Sequence, residues 1–242
     1  MDGYVTSMVP ALCTRLAAVA ALVPEDGSVA DIGTDHGLLP CFLMASGAVT
    51  HAVASDVSAP SLDKARARIE RLPMDVRKRI AVRCGDGLSI LEPGEVSTVV
   101  IAGMGGQTMC RILQNDVAIV EGISRLVLSP NCGAESMRRV LVSLGWTDVQ
   151  SAMVRDRAHF YPVEAWEQGS DSWTDADFRW GRHMRADPGS GLTQFLMHEY
   201  TRLLAAREAA RRGLDAAAAA VMELSEEVAR IEVELLRLRD QD

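Results

Sequence analysis

The chain has no C-x-x-C pair; its five cysteines, at positions 13, 41, 84, 110 and 132, are scattered and odd in number. That pattern argues against a disulfide framework or a cysteine-ligated metal site and fits a reducing cytoplasm. No apolar run reaches the ~20 residues that cross a bilayer, so no membrane association is expected. The nearest approach is 9–23, but Asp2 stands where a signal peptide is basic, and Arg15 interrupts the run. Leu12, Leu16, Val19 and Val23 recur at helical spacing, which predicts an amphipathic first helix instead. Positive charge is also in short supply, since the net charge is −8. There is no G-x-G-x-x-G fingerprint, because neither the second nor the fifth residue after Gly33 is glycine. That counts against a dinucleotide ligand.

What is present is an ordinary globular composition: 242 residues, 48% hydrophobic and 24% charged, enough for one domain and an appendage. Short β-branched runs at 28–32, 51–55, 80–83, 96–101 and 125–128 alternate with helical patterns at 39–45, 61–72, 107–114 and 135–144. The alternation predicts a mostly parallel sheet covered by helices on both faces. Two more strands, 148–154 and 159–165, are separated by only four residues, so they are expected to form an antiparallel hairpin at the sheet edge. The expected division is an α/β domain over 1–167, then a linker and helical appendage over 168–242, with the polar stretch 168–177 as the linker.

In the appendage, Leu214, Val221, Val228 and Leu235 repeat every seven residues, as do Ala217, Leu224, Ile231 and Leu238. This is a sustained a/d seam. Leu192, Leu196, Leu203, Ala206 and Ala210 form a similar stripe upstream, and Gly213 is the expected break between two helices. The register slips across Gly213, which favours an antiparallel coiled-coil hairpin over one long dimerising helix. Charge is uneven. Residues 66–83 hold seven basic side chains against two acids (+5), 178–212 seven against three (+4), and 213–242 three against eight (−5). Basic patches of this kind can steer a polyanion, although solvated helix faces give the same pattern. The expected hairpin sets the basic helix against the acidic one.

The richest segment is Asp31-Ile-Gly-Thr-Asp35-His36-Gly37, placed between a strand and a helix. A glycine turn there lets a ligand approach the backbone and the free N–H groups of a helix start. Its spacing resembles the S-adenosylmethionine loop, acidic-x-Gly-x-Gly-x-Gly, with Asp35 in place of the middle glycine. Asp56 ends the second strand and can accept hydrogen bonds from ribose hydroxyls, or cap the next helix. Cys84-Gly85-Asp86-Gly87 follows the third strand, where Asp86 can accept from an adenine amino group and Gly85 and Gly87 leave room for the ring. Ala102-Gly103-Met104-Gly105-Gly106 follows the fourth strand in place of the Asp/Asn-Pro-Pro-aromatic motif of many base methyltransferases. Its open backbone suits a planar substrate near the cofactor. Pro130 fixes the fifth strand's exit, and Asn131 can present an amide to a base edge or cap the next helix.

These motifs, Asp31–Pro40, 83–88, 101–106 and 126–131, resemble the bacterial tRNA (adenine-22-N1)-methyltransferases. The Asp-His pair and the Gly-Met-Gly-Gly turn are the group-specific parts, and the helical C-terminus is similar to that family's coiled-coil appendage. The resemblance implies a class I, Rossmann-like methyltransferase fold with a seven-stranded sheet, S-adenosyl-L-methionine as cofactor and a tRNA adenine N1 as acceptor. It implies cofactor roles for Asp31, Gly33, Asp56, Asp86 and Gly103, with Thr34, Val57, Gly85, Gly87 and Ala102 completing that set. Asp35, His36 and Asn131 fall on the substrate side as candidate catalytic residues, and Met104, Gly105, Gly106 and Pro130 as substrate-binding ones. The family usually has Glu at position 56 and Gln at position 129, where this chain has Asp and Ser. No metal is implied, and a cytoplasmic monomer or weak dimer is expected. The alternatives are a methyltransferase for another RNA base, a small molecule or a protein, and a non-catalytic tRNA- or cofactor-binding module.

Overall fold

A computed structural model of the chain describes residues 9–212 and 217–240. The first part runs α1 (Thr14–Ala21), β1 (Gly27–Ile32), α2 (Leu38–Ala45), β2 (Val49–Asp56), α3 (Ala59–Ile69), α4 (Met74–Arg77), β3 (Ile80–Cys84), β4 (Thr98–Ala102), α5 (Gly106–Asn115), α6 (Val117–Val120), β5 (Arg125–Ser129), α7 (Ala134–Ser143), β6 (Trp146–Asp156) and β7 (His159–Gln168). The seven strands form one sheet in the order β3-β2-β1-β4-β5-β7-β6. The pairs among β1–β5 are parallel, and β7 runs antiparallel to both β5 and β6. This is a Rossmann-like sheet, closed at one edge by the expected hairpin.

The central strands read as continuous apolar runs because both sheet faces are covered. Val99, Val100, Ile101, Leu126, Val127 and Leu128 are all fully buried. One face packs Ile32, Leu88, Met109, Leu113, Met137 and Leu141 under α5 and α7. The other packs Val19, Val29, Leu39, Leu43 and Val127 under α1 and α2. The short helices α4 and α6 had no periodic signal, since four residues are too few to show one.

Beyond the sheet come α8 (Asp175–Trp180), α9 (Arg182–Ala186), a single 3₁₀ turn (Pro188–Ser190), α10 (Leu192–Arg212) and α11 (Ala217–Arg239). The supposed linker is short and packed. β7 continues to Gln168, α8 opens at Asp175 on a Thr174/Asp177 capping box, and the Trp173 ring stacks on Trp166 and Phe178 at 5.4 and 5.2 Å. Aromatic area in a polar stretch was the missed signal. Arg138 and Glu164, both almost fully buried, form an ion pair whose guanidinium also donates to the carbonyls of Phe178 and Arg179. This ties α8 to α7 and β7.

α10 and α11 form a hairpin. Leu196, Leu203, Val228, Ile231 and Leu238 are buried between them, and Tyr200 donates to Glu232 at 2.8 Å. Of the heptad positions, Leu224, Val228, Ile231, Leu235 and Leu238 therefore pack in this apolar cluster. The charge pairing takes a different form from the expected one. The acids of α11 pair with Arg179 and Arg185 of the preceding short helices, while Arg202 and Arg212 pair with Glu199 and Glu208 on α10 itself. The expected break at Gly213 and the seam position Leu214 lie outside the described residues. No described helix is long and apolar enough to cross a membrane.

Candidate active site

The strand order reverses between β1 and β4, so their carboxyl ends open onto a crevice, where ligands of open α/β sheets bind. A cleft of about 600 Å³ lies there. Of the residues read from the sequence, Asp31, Gly33, Thr34, Asp35, His36, Asp56, Val57, Gly85, Asp86, Gly87, Ala102, Gly103 and Met104 line it. They come from four separate strand ends.

The first loop owes its shape to tight backbone geometry. Gly33 has φ +76°, and a Cβ there would meet the Met104 Cε at 2.3 Å, so the turns after β1 and β4 touch. Asp35 takes the left-handed conformation, at φ +49°, that costs a non-glycine residue strain. Its side chain caps no helix, because the N-cap of α2 is Gly37. The carboxylate instead accepts from the Ser61 hydroxyl at 3.3 Å and lies 3.3 Å from His36 Nε2, which also meets Lys64 Nζ at 3.1 Å. The Asp35 N–H donates to Asp56 Oδ2 at 3.1 Å. Asp56 Oδ1 accepts from the Ser58 N–H at 2.8 Å, but Ser58 itself caps α3.

Asp31 is buried, and its Oδ2 accepts from the Thr34 hydroxyl at 2.6 Å. Burial, with repulsion from Asp56 adding to it, pushes its carboxyl up to about 6. Five aspartates (31, 35, 56, 86 and 156) face the cleft against two arginines, Arg15 and Arg111. A cavity of that balance favours a cationic ligand and disfavours a pyrophosphate. A buried carboxylate near protonation, short of a counter-charge, fits the sulfonium and ammonium of S-adenosylmethionine.

Arg15 escaped the sequence reading. It reaches from α1 to the end of β5, where Nε donates to Ser129 Oγ at 2.9 Å, Nη1 to Asn131 Oδ1 at 2.7 Å and Nη2 to the Ser129 carbonyl. Its guanidinium lies 4.1 Å from the Tyr161 ring centroid. Burial lowers its pKa from the usual value. The one signal for it was a lone arginine inside an apolar helix. Tyr161 and Asp156 enter the cleft from the β6–β7 hairpin, which carried no motif.

Asn131, Pro130, Gly105 and Gly106 do not line this cleft. Asn131 caps nothing, since the N-cap of α7 is Gly133; its amide donates to the Gly103 carbonyl and accepts from Arg15. It lines an adjoining depression instead. Gly106 is a packing glycine, because a Cβ there would meet the Gly133 carbonyl oxygen at 2.2 Å. Among the described residues, no group of three or more His, Cys, Asp or Glu side chains is placed to hold a metal ion.

Known proteins are similar to this chain in sequence and in fold. The tRNA (adenine(22)-N(1))-methyltransferase of Bacillus subtilis is 31% identical over 158 residues, 65% of this chain and 66% of that protein. The chain thus matches slightly less than two thirds of that relative's length. A Streptococcus pneumoniae protein proposed to be a tRNA (m1A22) methyltransferase, crystallised with S-adenosyl-L-methionine, has a TM-score of 0.83 at 26% identity, covering 93% of this chain and 100% of that one. A Streptococcus agalactiae protein of the NADB-Rossmann superfamily has a TM-score of 0.84 at 25% identity, covering 95% and 99%. Residues 12–163 match the family model for the methyltransferase domain, and the chain belongs to that family.

Proposed function

We propose that the protein transfers a methyl group from S-adenosyl-L-methionine to N1 of adenine 22 in tRNA. The observation that carries this reading is the acidic cleft at the switch point of a methyltransferase fold, in a chain 31% identical to an adenine-22 enzyme. Asp31, with Gly33 and Thr34, would face the cationic amino-acid end of the cofactor. Asp56 beside Val57 would take the ribose. Asp86 with Gly85 and Gly87 would take the adenine, and Ala102 and Gly103 the reacting end. Bound there, the cofactor supplies an electrophilic methyl on a sulfonium.

Adenine N1 attacks with a neutral lone pair, so no base has to remove a proton first. The purine gains positive charge as the methyl arrives. Asp35, at the rim with His36 beside it, would stabilise that charge more in the transition state than in the ground state. Met104 would bear on the flat substrate. Asn131 keeps one donor and one acceptor beyond its bonds to Gly103 and Arg15, enough to meet a base edge. Gly105, Gly106 and Pro130 would act by holding the loops around it. N1 lies on the pairing edge of the base, so the adenine must leave its stack to react.

We read residues 1–167 as the catalytic domain and 168–242 as an appendage that grips folded tRNA by shape and phosphate. We read the protein as a cytoplasmic monomer or weak dimer, and the burial of Val228, Ile231 and Leu238 of α11 within the hairpin supports the oligomeric part of that reading. The test is incubation with methyl-labelled cofactor and bulk tRNA, followed by mapping of the modified base. Label at N1 of adenine 22 is expected. Label elsewhere, or on no RNA at all, would overturn the assignment.

A further inference from the structure

Next to the cleft lies a second depression of about 280 Å³, bounded by Asn131, residues 158–161 of the β6–β7 hairpin, and Phe195, His198 and Glu199 of α10. We propose that it is a second base subsite, which takes one unpaired nucleobase adjacent in the RNA strand to the adenine being methylated. The inference rests on the tRNA reading above and extends it to how the strand is held.

Ring content is the first argument. The chain has only eleven Phe, Trp and Tyr residues (four, four and three) and five histidines. Phe160, Tyr161 and Phe195, with His159 and His198, gather at this one depression. None of the five is buried, whereas Trp146, Trp166 and Trp180 are. The Phe160 ring lies 5.7 Å from Phe195 and 5.4 Å from His198, tilted by 59° and 41°. They form an open corner, not a closed stack. Unstacked RNA bases are commonly received on Phe, Tyr and His rings and on Arg planes, and Arg155 lies 5.7 Å from the Phe160 ring centroid.

Continuity is the second argument. Tyr161 lines both cavities, and Arg15 of the cleft holds Asn131 of the depression at 2.7 Å. A strand delivering one base to the cleft would pass this wall with its neighbour. Size agrees, because 280 Å³ falls just below the ~300–1,000 Å³ usual for whole small-molecule ligands and suits a single ring system. So does charge. Arg155 at the end of β6 and Arg157 on the hairpin turn are exposed and available to phosphates, and the one carboxylate in the wall, Glu199, is paired with Arg202 at 2.6 Å.

The test compares His198→Ala, His198→Phe and Phe160→Ala in steady-state methylation of tRNA. His198 is exposed on α10, so its variants should unfold at the wild-type midpoint. His198→Ala and Phe160→Ala are expected to raise KM for tRNA about fivefold or more, with kcat and cofactor KM little changed. His198→Phe should restore wild-type KM, because stacking needs only a π face. In tRNA carrying 2-aminopurine beside the target, the probe's fluorescence should be quenched on wild type and not on His198→Ala. Unchanged KM in both alanine variants, with the wild type active, would overturn the subsite alone. A wild type that methylates no tRNA would overturn the reading beneath it as well.

Discussion

Replacing Asp31 with Asn should stabilise the fold and weaken cofactor binding at the same time. The carboxyl is 6% exposed, and burial with repulsion from Asp56 raises it from 3.8 to about 6, against the opposing effect of the Thr34 hydroxyl. An acid whose pKa rises on folding binds its proton more tightly in the folded state. Its contribution is therefore most favourable below pH 4 and is lost as pH climbs through 6. The rise corresponds to about 3 kcal/mol of stability forgone at pH 8, about 1.5 at pH 5 and under ~1 at pH 4. Asn cannot ionise, and its carbonyl still accepts from Thr34. Urea unfolding of both proteins from pH 4 to pH 8 should show the variant's advantage growing along that curve. Calorimetry should show the reverse for function. S-adenosylmethionine should bind the variant more weakly, and wild-type affinity should fall as pH drops below about 6, where the carboxylate is neutralised. A variant less stable than wild type at pH 8, or a difference that does not change with pH, would refute the reasoning.

Asp35→Asn should leave fold and cofactor affinity near wild type, because the side chain caps no helix; single-turnover methylation should slow by about tenfold or more. Arg15→Lys keeps the charge but loses the fork that reaches Ser129 and Asn131 together, so kcat is expected to fall while calorimetric cofactor affinity holds. Glu164→Gln should cost about 3–5 kcal/mol in denaturant unfolding, since it removes the carboxylate with which the buried Arg138 guanidinium is paired. Neutralising Arg207 and Arg211 with Gln should weaken tRNA binding and flatten its logarithmic salt dependence by about 0.7–0.9 for each phosphate no longer neutralised; an unchanged slope would remove α10 from the interface.

The sheet, the loops and the helical hairpin were legible in the chain alone, because each leaves a local periodic or turn signal. Parallel strands buried on both faces must be apolar throughout, as at 126–128, and a seam shared by two helices must repeat every seven residues, as at Val228 and Leu235. The Asp31–Gly37 loop was legible because its backbone needs glycine where the chain turns tightly. What those pieces meet was settled by packing. Arg15 looks like a blemish in an apolar helix until α1 packs beside β5, 114 residues away in sequence, and delivers its guanidinium to Ser129. Tyr161, Trp173 and the Arg138–Glu164 pair carry no motif, since their partners lie on other elements and no spacing along one strand or helix encodes them. The helix-cap readings of Asp56 and Asn131 failed for a related reason. Cap propensity is a one-residue signal, and Ser58 and Gly133 took those positions once the loops closed around the cleft.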